Sequence, residues 1–206
     1  MKNYDLQQTK THFNLDATEY DKSGKYAIVR SRHHYVVDEV LRNQFESWLD
    51  VGCGTGVLLA MVGEQRKAAK LFGIDLSEEM IKIARAKLGD KADLRVSDSE
   101  RLPFEDEKFD LITCTFSFHH YPNPKAVLAE MKRVLSPNGK LIIADALLFT
   151  PLRQLRNAIA VFAKEEKFYS KRRILALVKS AGLAISKWTR LDWLAYLMVA
   201  KKTGVV

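Results

Sequence analysis

Leu49-Asp50-Val51-Gly52-Cys53-Gly54-Thr55-Gly56 is the stretch on which the reading of this chain turns. A short apolar run enters three alternating glycines, and Val57 to Val62 continue with apolar residues at helical spacing. Strand, glycine turn and helix in that order let a backbone come close to a ligand at the start of a helix. Outward from this stretch the alternation repeats. Strands are predicted over 48–52, 71–75, 92–96, 109–115 and 139–144, and helices over 56–66, 77–88 and 124–135. Ser77 reads as a helix cap and Ser136-Pro137-Asn138-Gly139 as a turn. Repeated units of this kind build a parallel sheet covered by helices on both faces.

The two ends of the chain read differently. Helices over 151–164 and 170–180 precede strands over 184–190 and 194–201, and Leu191-Asp192-Trp193 is too short a link for anything but an antiparallel pair. Before the first strand, helices are predicted over 7–16 and 25–45, joined by Asp21-Lys22-Ser23-Gly24. Val36, Val37, Val40, Leu41 and Phe45 mark the buried face of the second, and Arg30, Arg32, His33 and His34 read as its solvated face. One domain over 1–206 is expected, with 1–46 as a helical cap and 47–206 as the core.

Of 206 residues, 47% are hydrophobic and 28% charged, which is globular rather than disordered composition. No apolar run approaches the roughly 20 residues of a membrane span. The start, Met1-Lys2-Asn3-Tyr4-Asp5, lacks the apolar core of a secretory signal, so a cytoplasmic location is expected. Cys53 and Cys114 are too few for a disulfide framework and lack metal-ligand spacing; free thiols and no metal are expected. The net charge of +8 admits a polyanionic partner such as RNA or anionic lipid, beside the plainer reading of a basic, soluble surface.

Four stations fall at the carboxyl ends of successive predicted strands, where open α/β sheets bind ligands. They are the glycine turn with Asp50 before it; Asp75, able to accept both hydroxyls of a ribose; Asp98 with Leu102-Pro103-Phe104, suited to an adenine amine and ring; and Thr115-Phe116-Ser117-Phe118-His119-His120-Tyr121. A dinucleotide fingerprint wants Gly or Ala where Val57 stands, which weighs against a nicotinamide cofactor.

With these stations in place, the chain resembles the class I S-adenosylmethionine-dependent methyltransferases, on the branch similar to ubiquinone and menaquinone biosynthesis methyltransferases. The resemblance rests on Leu49 to Gly56, Gly73-Ile74-Asp75-Leu76-Ser77, Asp98 with Leu102-Pro103-Phe104, Phe109-Asp110, His119-His120 and Leu135-Ser136-Pro137-Asn138-Gly139-Lys140. It covers 48–145, and the ends in outline. It implies a three-layer, Rossmann-like α/β sandwich with a seven-stranded, mostly parallel sheet, an antiparallel C-terminal strand pair and N-terminal cap helices. It also implies S-adenosylmethionine as cofactor and S-adenosylhomocysteine as product. Carried over by position, Asp50, Gly52, Cys53, Gly54 and Gly56 face the methionine part, and Asp75 the ribose. Asp98 meets the adenine amine, Leu76 and Ser99 surround the ring, and Thr115 offers its backbone to the amino group. Quinone methyltransferases carry an Arg-Asn pair soon after the fourth strand. Here Ser117-Phe118-His119-His120 stands instead, which puts quinone chemistry in doubt.

Methyl transfer from a sulfonium is an in-line displacement, so the protein mainly has to align the reacting atoms. His119 or His120 is the candidate base where the acceptor must lose a proton. Phe13, Tyr20 and Tyr121 are candidates for a lid over the methyl group, and Tyr169, with Phe168, for the acceptor side; plain packing is the alternative for each. Cys114 lies in an apolar run and reads as structural. The leading expectation is a methyltransferase acting on a small-molecule O, N or C acceptor. An RNA methyltransferase and a non-catalytic cofactor-binding sensor or partner subunit remain alternatives, and oligomeric state is not read from the sequence.

Overall fold

The computed structural model describes residues 6–147, 151, 154, 157 and 168–203. Seven strands form one sheet: β1 Ser47–Val51, β2 Lys70–Asp75, β3 Ala92–Val96, β4 Phe109–Thr115, β5 Leu135–Ala146, β6 Leu183–Arg190 and β7 Ala195–Lys202. Their order is β3-β2-β1-β4-β5-β7-β6, with β7 antiparallel to both neighbours and the other pairings parallel. The described helices are α1 Leu6–Tyr20, α2 Ala27–Arg30, α3 His33–Leu41, α4 Val57–Gly63, α5 Glu78–Leu88, α6 Pro124–Val134 and α7 Lys171–Ser180. One core cluster joins one sheet face to α6 and α7 through residues such as Leu128, Met131, Ile174 and Val178. The other joins the opposite face to α3, α4 and α5 through Val36, Val40, Leu59 and Ile81. The sandwich is therefore three layers, as the alternating pattern required.

Local chemistry sets the helix starts. Ser77 accepts a bond from Met80 N at 3.1 Å, and Glu78 and Glu79 follow in the positively polarised first turn of α5. Asn123 and Ser170 cap α6 and α7 in the same way. The Asp110 carboxylate takes the backbone N–H groups of Glu46 and Ser47 at 3.0 and 3.1 Å, which fixes the start of β1 against β4.

Two expectations change and a third is only partly covered. The helix predicted over 25–45 is a 3-10 turn at Gly24–Tyr26, then α2 and α3, broken at Ser31 and Arg32. Arg32 is buried there and pairs with Asp192 at 2.5 Å, so the chain bends to carry a guanidinium to the β6–β7 hairpin. The predicted turn over 136–139 lies inside β5 as an irregularity, where pairing jumps from Phe109–Leu135 to Leu111–Lys140. Of the helix expected over 151–164, Pro151, Gln154 and Asn157 are helical, and the rest lies outside the described residues.

Gly56 adopts the left-handed backbone at φ 74, and a Cβ there would meet Leu88 Cδ1 at 2.9 Å and Ala84 Cβ at 3.1 Å. It lets α4 begin hard against α5. Gly56→Ala is expected to destabilise the fold by about 1–3 kcal/mol, read as a lowered thermal midpoint. An unchanged midpoint would show that α5 gives way without cost.

Candidate functional site

Strand order reverses direction between β1 and β4, and the loops leaving their carboxyl ends part at that point. There a cleft of about 670 Å³ opens, lined by Gly52, Gly54, Asp75, Leu76, Asp98, Ser99, Thr115 and Tyr121 from the sheet side, and by Leu6, Thr9, Phe13 and Tyr20 from α1. His120 lines it as well. A second chamber of about 430 Å³ adjoins it, lined by Asp50, Cys53, Thr55, Arg30 and His33. Tyr20, Gly52, Gly54 and Thr115 border both. The two lie on either side of the glycine turn and share these four residues.

The turn is built by its own hydrogen bonds. Gly52 N and Cys53 N both donate to Ile74 O at 2.9 Å, and Gly54 N donates to Asp75 Oδ2 at 2.9 Å. The other oxygen, Asp75 Oδ1, accepts from Ser77 N at 2.9 Å. One carboxylate thus joins the glycine turn to the start of α5. Burial pushes its pKa up, against the backbone donors that favour the anion. A Cβ on Gly52 would strike Ser117 Oγ at 2.6 Å and Tyr121 Oη at 3.0 Å. On Gly54, at φ 52, nothing lies within 4 Å of that position, and a side chain would project into open space beside both chambers.

Beneath the turn, Trp48 Nε1 donates to Thr113 Oγ1 at 2.9 Å, and the Thr113 hydroxyl donates to Asp50 Oδ1 at 2.6 Å. Asp50 is buried, which pushes its pKa up to about 7; the Thr113 hydrogen bond opposes the rise and the charge of Asp75 adds to it. Thr115 Oγ1 is a buried hydroxyl oxygen without a hydrogen-bond partner, and Thr115 borders both chambers. Buried polar groups are ordinarily satisfied, so the hydrogen-bonding capacity of this atom stands unused. A carboxylate for hydroxyls, an uncapped hydroxyl, an acid and a basic end together fit an amino acid joined to a nucleoside.

On the acceptor side, Phe13 meets His120 edge-on at 5.0 Å. Phe116 holds φ 52, an uncommon backbone for a residue other than glycine, while its N–H donates to Ala144 O at 2.7 Å. Tyr121 passes under Gly52, and its hydroxyl lies 3.0 Å from Ser117 Oγ. Burial pushes its pKa well up, so it serves as a neutral wall.

Several sequence candidates sit elsewhere. Gly56 lines neither chamber, because its Cα faces α5. Asp50 and Cys53 lie in the second chamber, outside the main cleft. His119 is outside the lining of the cleft; its Nδ1 lies 2.6 Å from Asp145 Oδ1, its backbone N–H donates to Asp145 Oδ2 at 2.8 Å, and its ring stacks on Phe168. Tyr169 packs against the core near Phe118. Cys114 is buried, its thiol pushed up by burial, as expected of a structural cysteine.

The sequence does not single out Asp145, and it reads Arg30 and His33 as a solvated face. Asp145 had one available signal, an acid ending an apolar strand at the ligand-binding edge. Arg30 and His33 had none, since the break at Arg32 that turns them inward has no signature in periodicity. No helix among the described residues is long and apolar enough to cross a membrane, and no group of metal-ligating side chains is found among them.

Comparison with known proteins agrees with this geometry. Residues 49–143 match a family model described as a methyltransferase domain. Demethylmenaquinone methyltransferase of Thermotoga maritima is 35% identical over 68% of this chain and 64% of its own length. The ubiquinone/menaquinone biosynthesis C-methyltransferase UbiE of Cupriavidus metallidurans is 28% identical over 66% and 67%. The chain therefore spans less than two thirds of the Thermotoga relative. A solved SAM dependent methyltransferase from Aquifex aeolicus superposes with a TM-score of 0.66 at 23% identity, covering 95% of this chain and 97% of that one. Sheet order, glycine turn and matched segment converge: residues 49–143 match a methyltransferase domain, and the chain is similar to the demethylmenaquinone and UbiE methyltransferases.

Proposed function

We propose that this protein binds S-adenosylmethionine across both chambers and transfers its methyl group to a small-molecule acceptor at O, N or C. The observation that carries the proposal is the adjacency of the two chambers, which share Gly54, Tyr20 and Thr115, the last with an unpartnered hydroxyl. Asp75 would hold the ribose, Asp98 the adenine amine, and Leu76 and Ser99 the ring; all four line the cleft. Asp50 and Thr115 would meet the ammonium, and Arg30 the carboxylate. Arg30 is oriented for this by the carbonyls of Ser23 and Tyr20, at 2.9 and 3.3 Å. When bound, the cofactor supplies an electrophilic methyl on a sulfonium.

The chain's own part is alignment and exclusion of water. Phe13, Phe116 and Tyr121 wall the space beyond the turn, and α1 covers it. Positioning of reactants supplies roughly 7–11 kcal/mol of barrier reduction in favourable cases. His120, whose ring borders the cleft, takes the proton of an O or N acceptor; His119, held by Asp145, fixes the loop on which His120 stands. His120→Ala is expected to lower turnover about 10²–10³-fold with such an acceptor while leaving affinity for S-adenosylhomocysteine near wild type. Equal losses in both would make His120 a wall residue.

The mostly apolar, aromatic-walled lining of the cleft favours a metabolite over a polyanion, and a cytoplasmic location suits such a substrate. Calorimetry with S-adenosylhomocysteine tests the cofactor, and a metabolite screen read by its release tests the transfer. Binding without turnover would support the sensor alternative. Tight RNA binding that weakens steeply with salt would support the nucleic-acid alternative.

A further inference from the structure

We propose that His33 is a titratable reader of the cofactor's amino-acid end, taking up a proton from solvent when a carboxylate enters the chamber it shares with Arg30. This rests on the cofactor reading given above and adds to it a residue and a proton.

His33 is the first residue of α3, at a helix end where Arg32 offers no side-chain cap. The unsatisfied N–H groups of that end make the local potential positive. Groups from the neighbouring elements face the same space: Arg30 from α2, Asp21 and Tyr20 from the end of α1, Asp50 from β1 and the Cys53 thiol from the glycine turn; Lys87 from α5, outside the lining, acts on His33 through its charge. Asp21 is already engaged, accepting from Thr55 Oγ1 at 2.7 Å and from Lys87 Nζ at 2.9 Å. Its charge is matched locally, while Arg30 is held by neutral carbonyls. The balance around His33 is therefore short of an anion.

Burial, chiefly, pulls the imidazole down to about 4; Asp21 opposes this, and Lys87 and Arg30 reinforce it. A ligand carboxylate beside Arg30 reverses the balance, because an opposite charge within a few ångström favours the protonated ring. The proton comes from bulk water, the imidazole becomes imidazolium, and no covalent bond in the ligand changes. Asp50 works in the opposite sense, since a ligand ammonium favours its ionised form. Binding thus moves protons in two directions, and only the inward one belongs to His33.

The test is calorimetry of S-adenosylhomocysteine binding near pH 6, in buffers of different ionisation heat. Wild type and His33→Asn are compared, with 5′-methylthioadenosine as a ligand lacking the amino-acid end. Wild type is expected to take up about 0.3–1 proton more per bound S-adenosylhomocysteine than the variant. Its affinity should improve about 3–10-fold relative to the variant from pH 7.5 to 5.5. With 5′-methylthioadenosine the two proteins should agree. A second measurement needs no variant: the His33 ring resonance of labelled wild type should titrate at a higher pH with S-adenosylhomocysteine bound than without. Equal proton counts in the two proteins, or a midpoint that stays or falls, would overturn the role of His33 and leave the cofactor reading standing. No binding of either ligand by wild type would sink both.

Discussion

Asp75→Ala is expected to weaken S-adenosylhomocysteine binding by at least about 100-fold, since two hydrogen bonds to an ionised acceptor contribute roughly 1.5–3 kcal/mol each. The loss has a second source inside the protein. Gly54 N and Ser77 N both donate to this carboxylate, and the alanine variant leaves both N–H groups without their acceptor at the point where the glycine turn must hold its shape. Global stability should change less than affinity. The burial that raises Asp75 makes its charge costly in the free protein, so removing it offsets part of what the turn loses. Calorimetry and a thermal melt on the same sample separate the two effects. Near-wild-type affinity would place the ribose elsewhere.

Asp50→Asn should act in the opposite direction on stability. A carboxyl raised to about 7 in the folded state and ordinary in the unfolded chain is protonated when folded but ionised when unfolded across the interval between. The unfolded chain then binds fewer protons, so stability falls as pH rises from about 4 to about 7 and stays low above it. Over roughly three pH units the contribution is on the order of 4 kcal/mol as an upper figure. Asparagine keeps the acceptor for Thr113 and loses the titration. The variant should melt higher than wild type at pH 8, approach it near pH 4, and bind S-adenosylhomocysteine at least about 10-fold more weakly. A lower melting midpoint at pH 8 would mean that Asp50 is stabilised as an anion by groups beyond Thr113. A higher midpoint would mean that the chain holds at this position an acid that costs the free protein stability and is matched when a cation arrives.

Most of the fold was legible because it is written in period and punctuation. Buried strands read as apolar runs, Gly52 and Gly54 mark backbone that other residues take up with strain, and Ser77 announces a helix start. The short link before Trp193 forced the antiparallel pair. The strand order, β3-β2-β1-β4-β5-β7-β6, was not legible, since periodicity does not tell which strands neighbour one another. The candidate site was half legible. Positions on the glycine turn and at strand ends could be named because strand ends face the cleft by geometry. Arg30 and His33 were taken for solvated surface, as a basic helical face is indistinguishable from a basic chamber wall until the helix is known to break. His119 and His120 stand together on a 3-10 turn over Phe118–His120 with ring centroids 4.0 Å apart, yet His119 pairs with Asp145 while His120 meets Phe13. Gly56 shares its neighbours' residue type and serves packing instead.

The placement of β7 bears on how the chain is made. It pairs with β5 along seven residues, from Lys140–Lys201 to Ala146–Ala195, yet follows β6 in sequence. During synthesis the first five strands can assemble while β5 presents an unpaired, apolar edge, because its permanent neighbour is translated only after α7 and β6. Ribosome-bound chains ending before Ala195 should therefore recruit chaperones or associate through that edge, and extension through Lys202 should end the exposure. A sheet that gathers its ligand loops before β5 thus depends for solubility on the strand it receives late.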